Sequence, residues 1–406
     1  MEGRIDIHGY GRWLARAREG VARCNPISPR NSELIQRFAD HCEAGGLGPA
    51  RVAKYLIILR RLAAWLGKDF DGAGREDIER LVRRIETSDR SAWTKQNYKV
   101  ALKRFYKWLK GGDQSYPPEV SWIRTTLRER DRLLPSELPT EEEIRRLVEA
   151  CDNPRDRAFI MTLYETGGRI GEVGSLRVKD VEFMEEYAAV RLVGKTGARR
   201  VPVVAAVPYL QLWLEHHPDG RNPGAPLWPK LSDGRPMTYP ALAKVLRVAA
   251  ERAGLGKRIT PHKLRHARAT FLATRLTEAQ MNAFFGWRQG SDMPSTYVHL
   301  SGRDVDRAIL GIYGLRKEEG REEKARLSPK ECPRCRQRNP ATGRFCLRCG
   351  MALDMEAVVE LERKRARADE LMSRLLEDPE VEELLRRKLR ELGKRALRQA
   401  QSARDS

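Results

Sequence analysis

The 406-residue chain carries 77 Lys plus Arg against 56 Asp plus Glu, a formal net charge of +21. Its 33% charged and 41% hydrophobic residues describe a globular protein of roughly two or three domains and exclude a disordered chain. Apolar runs are short and broken, which excludes a membrane span. Arg4, Asp6, Arg12, Arg16 and Arg18 stand where a secretion signal needs an apolar stretch, so a cytoplasmic, nucleoid-associated protein is expected.

Taken in chain order, residues 1–29 show no clear period and are expected to form an N-terminal arm. From 30 to 112 the pattern is helical. Apolar stripes run through Leu34 and Phe38, then Tyr55, Ile58, Leu59, Leu62 and Trp65, then Ile78, Leu81, Val82 and Ile85, then Tyr98, Leu102, Phe105, Tyr106 and Leu109. Arg51, Lys54, Arg60, Lys95, Lys99, Lys103, Arg104 and Lys107 sit opposite these stripes. With Tyr98, Tyr106 and Trp108 nearby, they suggest a face that lies along phosphates. Residues 113–136, with Pro117-Pro118 and Pro135, read as a linker.

A second domain is expected over 137–316. Thr140 and Glu143 have the spacing of a reciprocal helix cap. Helices then alternate with strands over Tyr187–Val193 and Arg199–Val204, joined by Gly194-Lys195-Thr196-Gly197-Ala198. Residues 328–354 hold four cysteines. Residues 355–406 make two amphipathic helices divided at Asp378-Pro379. The predicted fold is mainly α with a small antiparallel β-sheet (α+β).

The positive charge is spread over the chain: +7 on 30–125, +6 on 137–316, +4 on 317–354, and only +1 on 355–406. Such a spread suits contact with a long polyanion, because each neutralised phosphate releases counterions. It equally suits solubility.

Three segments of the second domain offer chemistry. In Gly167-Gly168-Arg169-Ile170-Gly171-Glu172, an arginine is followed by a carboxylate three positions on. This is either an anion-binding guanidinium with its orienting acid or a surface ion pair. In Thr260-Pro261-His262-Lys263-Leu264-Arg265-His266, Thr260 and Pro261 start a helix, and His262 and Arg265 fall on one face near its anion-attracting end. The third segment holds Trp287 and, ten residues on, Tyr297.

The order Arg169, Lys195, His262-x-x-Arg265, Trp287, Tyr297 resembles the tyrosine recombinase (phage integrase) superfamily. The run Tyr297-Val298-His299-Leu300-Ser301 is closest to Xer-like integrases of archaeal mobile elements. The resemblance implies a helical core-binding domain followed by a catalytic domain. It implies that Tyr297 attacks a scissile phosphodiester, leaving a 3′-phosphotyrosyl DNA and a free 5′-hydroxyl, without ATP. Arg169 and Arg265 would clamp the non-bridging oxygens, and Lys195 would protonate the leaving oxygen. His262 would position the phosphate and exchange a proton with the tyrosine. Trp287 would donate its indole N–H, and Glu172 would hold Arg169. Gly168 and Gly171 depart from the family pattern, as does a Trp287–Tyr297 gap one residue longer than the Xer norm.

Cys332-x-x-Cys335 and Cys346-x-x-Cys349 give two C-x-x-C pairs ten residues apart. Thiolates so paired suit a tetrahedral structural Zn2+, which folds a segment too small for its own core. Disulfides are disfavoured by the lack of a secretion signal. The expected protein is thus a site-specific DNA recombinase with a zinc ribbon. It would act on double-stranded DNA as a homo-oligomer, a tetramer on synapsed DNA. A type IB topoisomerase and a non-catalytic zinc-ribbon regulator are the alternatives. The terminal helices would pack either on their own catalytic domain or between protomers, with a further contact at Arg303–Tyr313.

Overall fold

The computed structural model describes residues 5–23, 25–111, 115–126, 137–194, 197–273, 275–291, 293–294, 297 and 327–402, apart from the side chains of 393–402. Its first unit contains α1 (Tyr10–Ala22), α2 (Pro29–Ala44), α3 (Pro49–Leu66), α4 (Arg75–Thr87) and α5 (Ala92–Leu109). Ser28 caps α2 by accepting the Asn31 N–H, and Ser91 caps α5 by accepting that of Thr94. The stripe on α3 buries Val52, Leu56, Leu59 and Leu62 against α1, α2 and α5. Each such leucine stabilises the bundle by about 1.5–3 kcal/mol.

Two expectations are corrected here. Among the described residues, 5–23 and 25–29 are packed and do not form an arm. Helix α1 packs on α3 with Ala17 and Val21 buried, and Ile27 joins the same core. Its stripe contains small residues, so the period was faint in the sequence. Ahead of it, Ile7 is buried in the second unit, where its carbonyl accepts the Tyr239 N–H at 2.7 Å and His8 stacks on the Tyr239 ring. The start of the expected linker also belongs to the first unit. Pro118 opens a short helix, α6 (Pro118–Ser121), and Val120 and Ile123 are buried in the first core.

The basic face is altered as well. Tyr98 and Tyr106 are core residues, with the Tyr106 hydroxyl donating to the Phe70 carbonyl at 2.9 Å. Lys54 donates to Asn97, Lys99 pairs with Glu86, and Lys103 donates to the Ile123 carbonyl. Those three cations brace the bundle.

The second unit contains α7 (Glu141–Glu149), α8 (Pro154–Thr166), α9 (Ile170–Val173), β1 (Val181–Phe183), β2 (Ala188–Gly194), β3 (Gly197–Val203), α10 (Val207–Glu215), α11 (Tyr239–Arg252), α12 (Pro261–Ala273) and α13 (Glu278–Phe285). The strands form an antiparallel sheet in the order β1-β2-β3. The Thr140–Glu143 reciprocal cap is present. Helix α8 is buried on almost every side and packs on α10 and α12. The Glu165 carboxylate near its end accepts the N–H groups of Val204, Ala205 and Ala206, tying α8 to the start of α10.

Beyond the second unit, β4 (Lys330–Glu331) pairs with β5 (Arg338–Asn339) in the cysteine module. That module rests on the second unit: the Tyr209 and Thr342 hydroxyls share a 2.8 Å hydrogen bond, and Arg338 donates to the Glu186 carbonyl. Helices α14 (Met355–Leu376) and α15 (Pro379–Ser402) follow. Leu371, Leu389 and Leu392 on them are 60%, 65% and 59% exposed. No described helix is long and apolar enough to cross a membrane.

Candidate active site

Helix α8 ends at Gly167, whose φ of +54° favours glycine. A Cβ there would lie 2.3 Å from Phe285 Cε1, and one on Gly168 would lie 2.7 Å from Val173 Cγ2. The two glycines let the chain turn tightly into Arg169. Gly168, one of the departures from the family pattern, thus has a packing reason.

Arg169 begins α9, and its side chain is half exposed. Glu172 is only 3% exposed and is gripped from three sides. It accepts the Arg169 backbone N–H at 3.0 Å, the Arg169 guanidinium at 3.0 Å and Arg199 Nη2 at 2.7 Å. Burial alone would raise the Glu172 carboxyl. Arg199, with help from Arg169, outweighs it and brings the carboxyl down to about 2. Glu172 is therefore a fixed anion that orients Arg169. Sequence reasoning missed Arg199, which also donates from Nε to the Phe284 carbonyl at 3.0 Å and so joins β3 to α13.

Helix α12 supplies the next three groups. Thr260 Oγ1 accepts the Lys263 N–H at 3.2 Å, as expected of its cap. Arg265 is 5% exposed and donates to the carbonyls of Gly167 at 2.6 Å and Phe285 at 3.0 Å. Burial and then Arg169 lower it to about 10, so it remains a cation at neutral pH. Its guanidinium carbon also lies 5.1 Å from the Phe285 ring and 5.6 Å from Trp287. His262 keeps an exposed edge, yet partial burial of its ring, then Arg265 and Arg169, lower its basicity.

Tyr297 is 9% exposed. Trp287 lies parallel to it, with ring centres 5.7 Å apart and planes 3° from parallel, and Phe285 continues the stack behind Trp287. Burial pushes the Tyr297 phenol up to about 12, against the pull of Arg265. Its hydroxyl shares a hydrogen bond with His266 Nδ1. His266 had been given no role in the sequence. It meets His262 edge-on at 4.3 Å between ring centres, and burial, then His262 and Arg265, lower it to about 4. Their separation of four residues on one helix was the available signal.

Arg169, Glu172, His262, Arg265, Trp287 and Tyr297 thus converge where α9, α12, the end of α13 and β3 meet. Lys195 lies outside the described residues, as do Cys24, Val298–Ser301 and the expected helix at Arg303–Tyr313. The arrangement can bind an anion with two guanidiniums and present a phenolic oxygen beside it.

The model of the Phage integrase family matches residues 138–303. The tyrosine recombinase XerD of Pseudomonas aeruginosa is 30% identical over 292 residues, covering 68% of this chain and 95% of that one. The chain belongs to the tyrosine recombinase family. The recombinase XerA of Pyrococcus furiosus is 25% identical over 251 residues, covering 60% of this chain and 81% of XerA. Among solved structures, the XerH recombinase bound to its difH substrate aligns over 76% of this chain and 97% of that one, with a TM-score of 0.52 at 18% identity. That likeness concerns the fold. The family match ends ahead of the four cysteines of this tyrosine recombinase.

The cysteines fit a metal. Cys332, Cys335, Cys346 and Cys349 place their sulfurs within 4.8 Å of one another. The Cys332–Cys349 and Cys335–Cys346 sulfurs are 3.6 Å apart, far beyond a disulfide bond and near the roughly 3.8 Å edge of a tetrahedron with metal–sulfur bonds of about 2.3 Å. Each C-x-x-C turn closes on a residue of positive φ, Arg336 or Gly350. Cys42 and Cys151 are buried and apart, and burial pushes the Cys151 thiol up to about 12.

Proposed function

We propose that this site-specific recombinase cleaves and rejoins duplex DNA through a 3′-phosphotyrosyl intermediate at Tyr297. The observation that carries the reading is one cluster holding a buried phenol, a buried guanidinium and a second guanidinium fixed by a buried carboxylate. Arg169 and Arg265 bind the non-bridging oxygens of the scissile phosphate, where charge develops in the transition state. The Tyr297 oxygen displaces the 5′ oxygen, and the bond energy is kept in the covalent intermediate, so resealing needs no ATP. Lys195 protonates the leaving oxygen, a role that rests on the family resemblance. His262 donates to the phosphate, Trp287 holds the phenol ring, and Glu172 orients Arg169.

The partner is double-stranded DNA, held by the helical unit of α1–α6 and by the catalytic unit that follows it. The +7 and +6 charges on segments 30–125 and 137–316 support this. The assembly is a homo-oligomer, a tetramer on synapsed DNA, working in the cytoplasm on the nucleoid. Exposed leucines on α14 and α15, with a net charge of only +1 on 355–406, support a protein-contact role for the tail. The ion held by the four cysteines is a structural Zn2+, which supplies cross-linking and no chemistry to the reaction.

The test is covalent capture from a pool of nicked duplexes with a randomised core, followed by strand exchange between two duplexes carrying a captured site. Capture with exchange supports a recombinase. Capture with plasmid relaxation and no exchange, under conditions that bring two sites together, would indicate topoisomerase-like action instead.

A further inference from the structure

We infer that His266 is the proton acceptor for Tyr297 in strand cleavage, a role the residue order alone would give to His262. The inference rests on the cleavage reading above and identifies the base within it. The Tyr297 hydroxyl and His266 Nδ1 share a hydrogen bond, and the proposed transfer uses the tautomer in which the phenol donates and the imidazole proton is on Nε2. His262 is one ring farther away, edge-on to His266, with an exposed edge beside Arg265 and Arg169. The two histidines therefore divide the labour: His262 faces the phosphate and His266 faces the nucleophile.

The charged and titratable groups bearing on His266, among the described residues, are His262 and Arg265 on its own helix and Tyr297 across the site. Burial, His262 and Arg265 keep His266 neutral at physiological pH, so a base form is ready. With the phenol up at about 12, the proton stays on the tyrosine while DNA is absent. A phosphodiester bound by Arg265 adds a negative charge that offsets the field of Arg265 on His266 and so raises the basicity of His266. As the phenolic oxygen bonds to phosphorus, its own proton affinity falls. The proton then passes from Tyr297 to His266, the P–O5′ bond breaks, and the 5′ oxygen leaves with a proton from Lys195. Resealing reverses each transfer. The nucleophile is thereby switched on by the phosphate it attacks.

The experiment is single-turnover cleavage by the full-length chain of a captured nicked duplex, made with either an ordinary phosphate or a 5′-bridging phosphorothiolate. The sulfur leaves without needing a proton. His266→Gln is expected to slow cleavage of both substrates by about 10²–10³-fold near pH 7. Its rate should climb with pH as hydroxide replaces the base. Lys195→Ala should be slow on the ordinary phosphate and restored on the phosphorothiolate. DNA binding measured by gel shift shows that each variant is folded, and His266→Asn gives a second, smaller substitution for the same comparison. Cleavage by His266→Gln within threefold of wild type, or its restoration by the phosphorothiolate, would overturn the assignment. Loss of any Tyr297-dependent adduct in wild type would instead overturn the cleavage reading itself.

Discussion

Arg199 and Glu172, 27 residues apart in the chain, meet as an ion pair of 2.7 Å whose side chains are 9% and 3% exposed. Because Arg199 also reaches the Phe284 carbonyl, this contact fastens the β-hairpin to both α9 and α13. Removing Arg199 leaves a buried carboxylate with only Arg169 to balance it. Arg199→Ala should lower stability by about 3–5 kcal/mol in urea unfolding. Adding Glu172→Gln to it should recover part of that loss, since the two sites are coupled. Equal, additive losses would show that the pair does not act as a unit.

The same carboxylate gives a pH dependence. Its folded value of about 2 lies below the ordinary 4.5, so its contribution is complete above pH 4.5 and is lost as pH falls towards 2. The contribution is at most about 3 kcal/mol, from the size of the shift. Urea unfolding of wild type and Glu172→Gln should therefore differ most near pH 6 and converge below pH 3. A gap that stays constant over that range would contradict the burial and pairing described for Glu172.

Gly167 is required on two counts, its φ of +54° and the 2.3 Å approach of Phe285 to where a Cβ would stand. Phe285 stacks on Trp287, and the Gly167 carbonyl accepts from Arg265. Gly167→Ala should thus displace both the clamp and the aromatic stack. Cleavage should fall by 100-fold or more, on the order of one misplaced catalytic group, with DNA affinity changed little in gel shifts.

Freshly purified reduced protein should contain about one equivalent of zinc by elemental analysis. Cys335→Ser should lower it, and chelation should break the Tyr209–Thr342 hydrogen bond by which the cysteine module rests on α10. Amide exchange in 328–354 should then rise while the α8 core stays protected. Metal content well below one equivalent would contradict a zinc ribbon.

Much of this architecture was legible because large apolar residues recur at helical spacing, as in Ile78, Leu81, Val82 and Ile85, all of which are buried. The hairpin was legible from β-branched runs around Gly194-Lys195-Thr196-Gly197. Helix α1 was not, since Ala17 and Val21 bury little area and leave a weak period. Nor could spacing reveal which cations face outward: Lys54, Lys99 and Lys103 look like surface lysines in sequence and are spent on internal partners. Arg199 and His266 depend on contacts made only when distant segments meet, Arg199 with residues 27 and 85 positions away. The four-residue spacing of His262 and His266 places their rings together on one helix, but only the Tyr297 hydroxyl beside His266 marks its role.

The most direct test of the central claim is to digest the captured protein–DNA adduct and identify the linked residue and DNA end by mass spectrometry. The account predicts a phosphodiester from the Tyr297 oxygen to a DNA 3′ end, a free 5′-hydroxyl on the released strand, and no adduct from Tyr297→Phe. An adduct on another residue, a 5′-linked strand, or undiminished capture by Tyr297→Phe would contradict it.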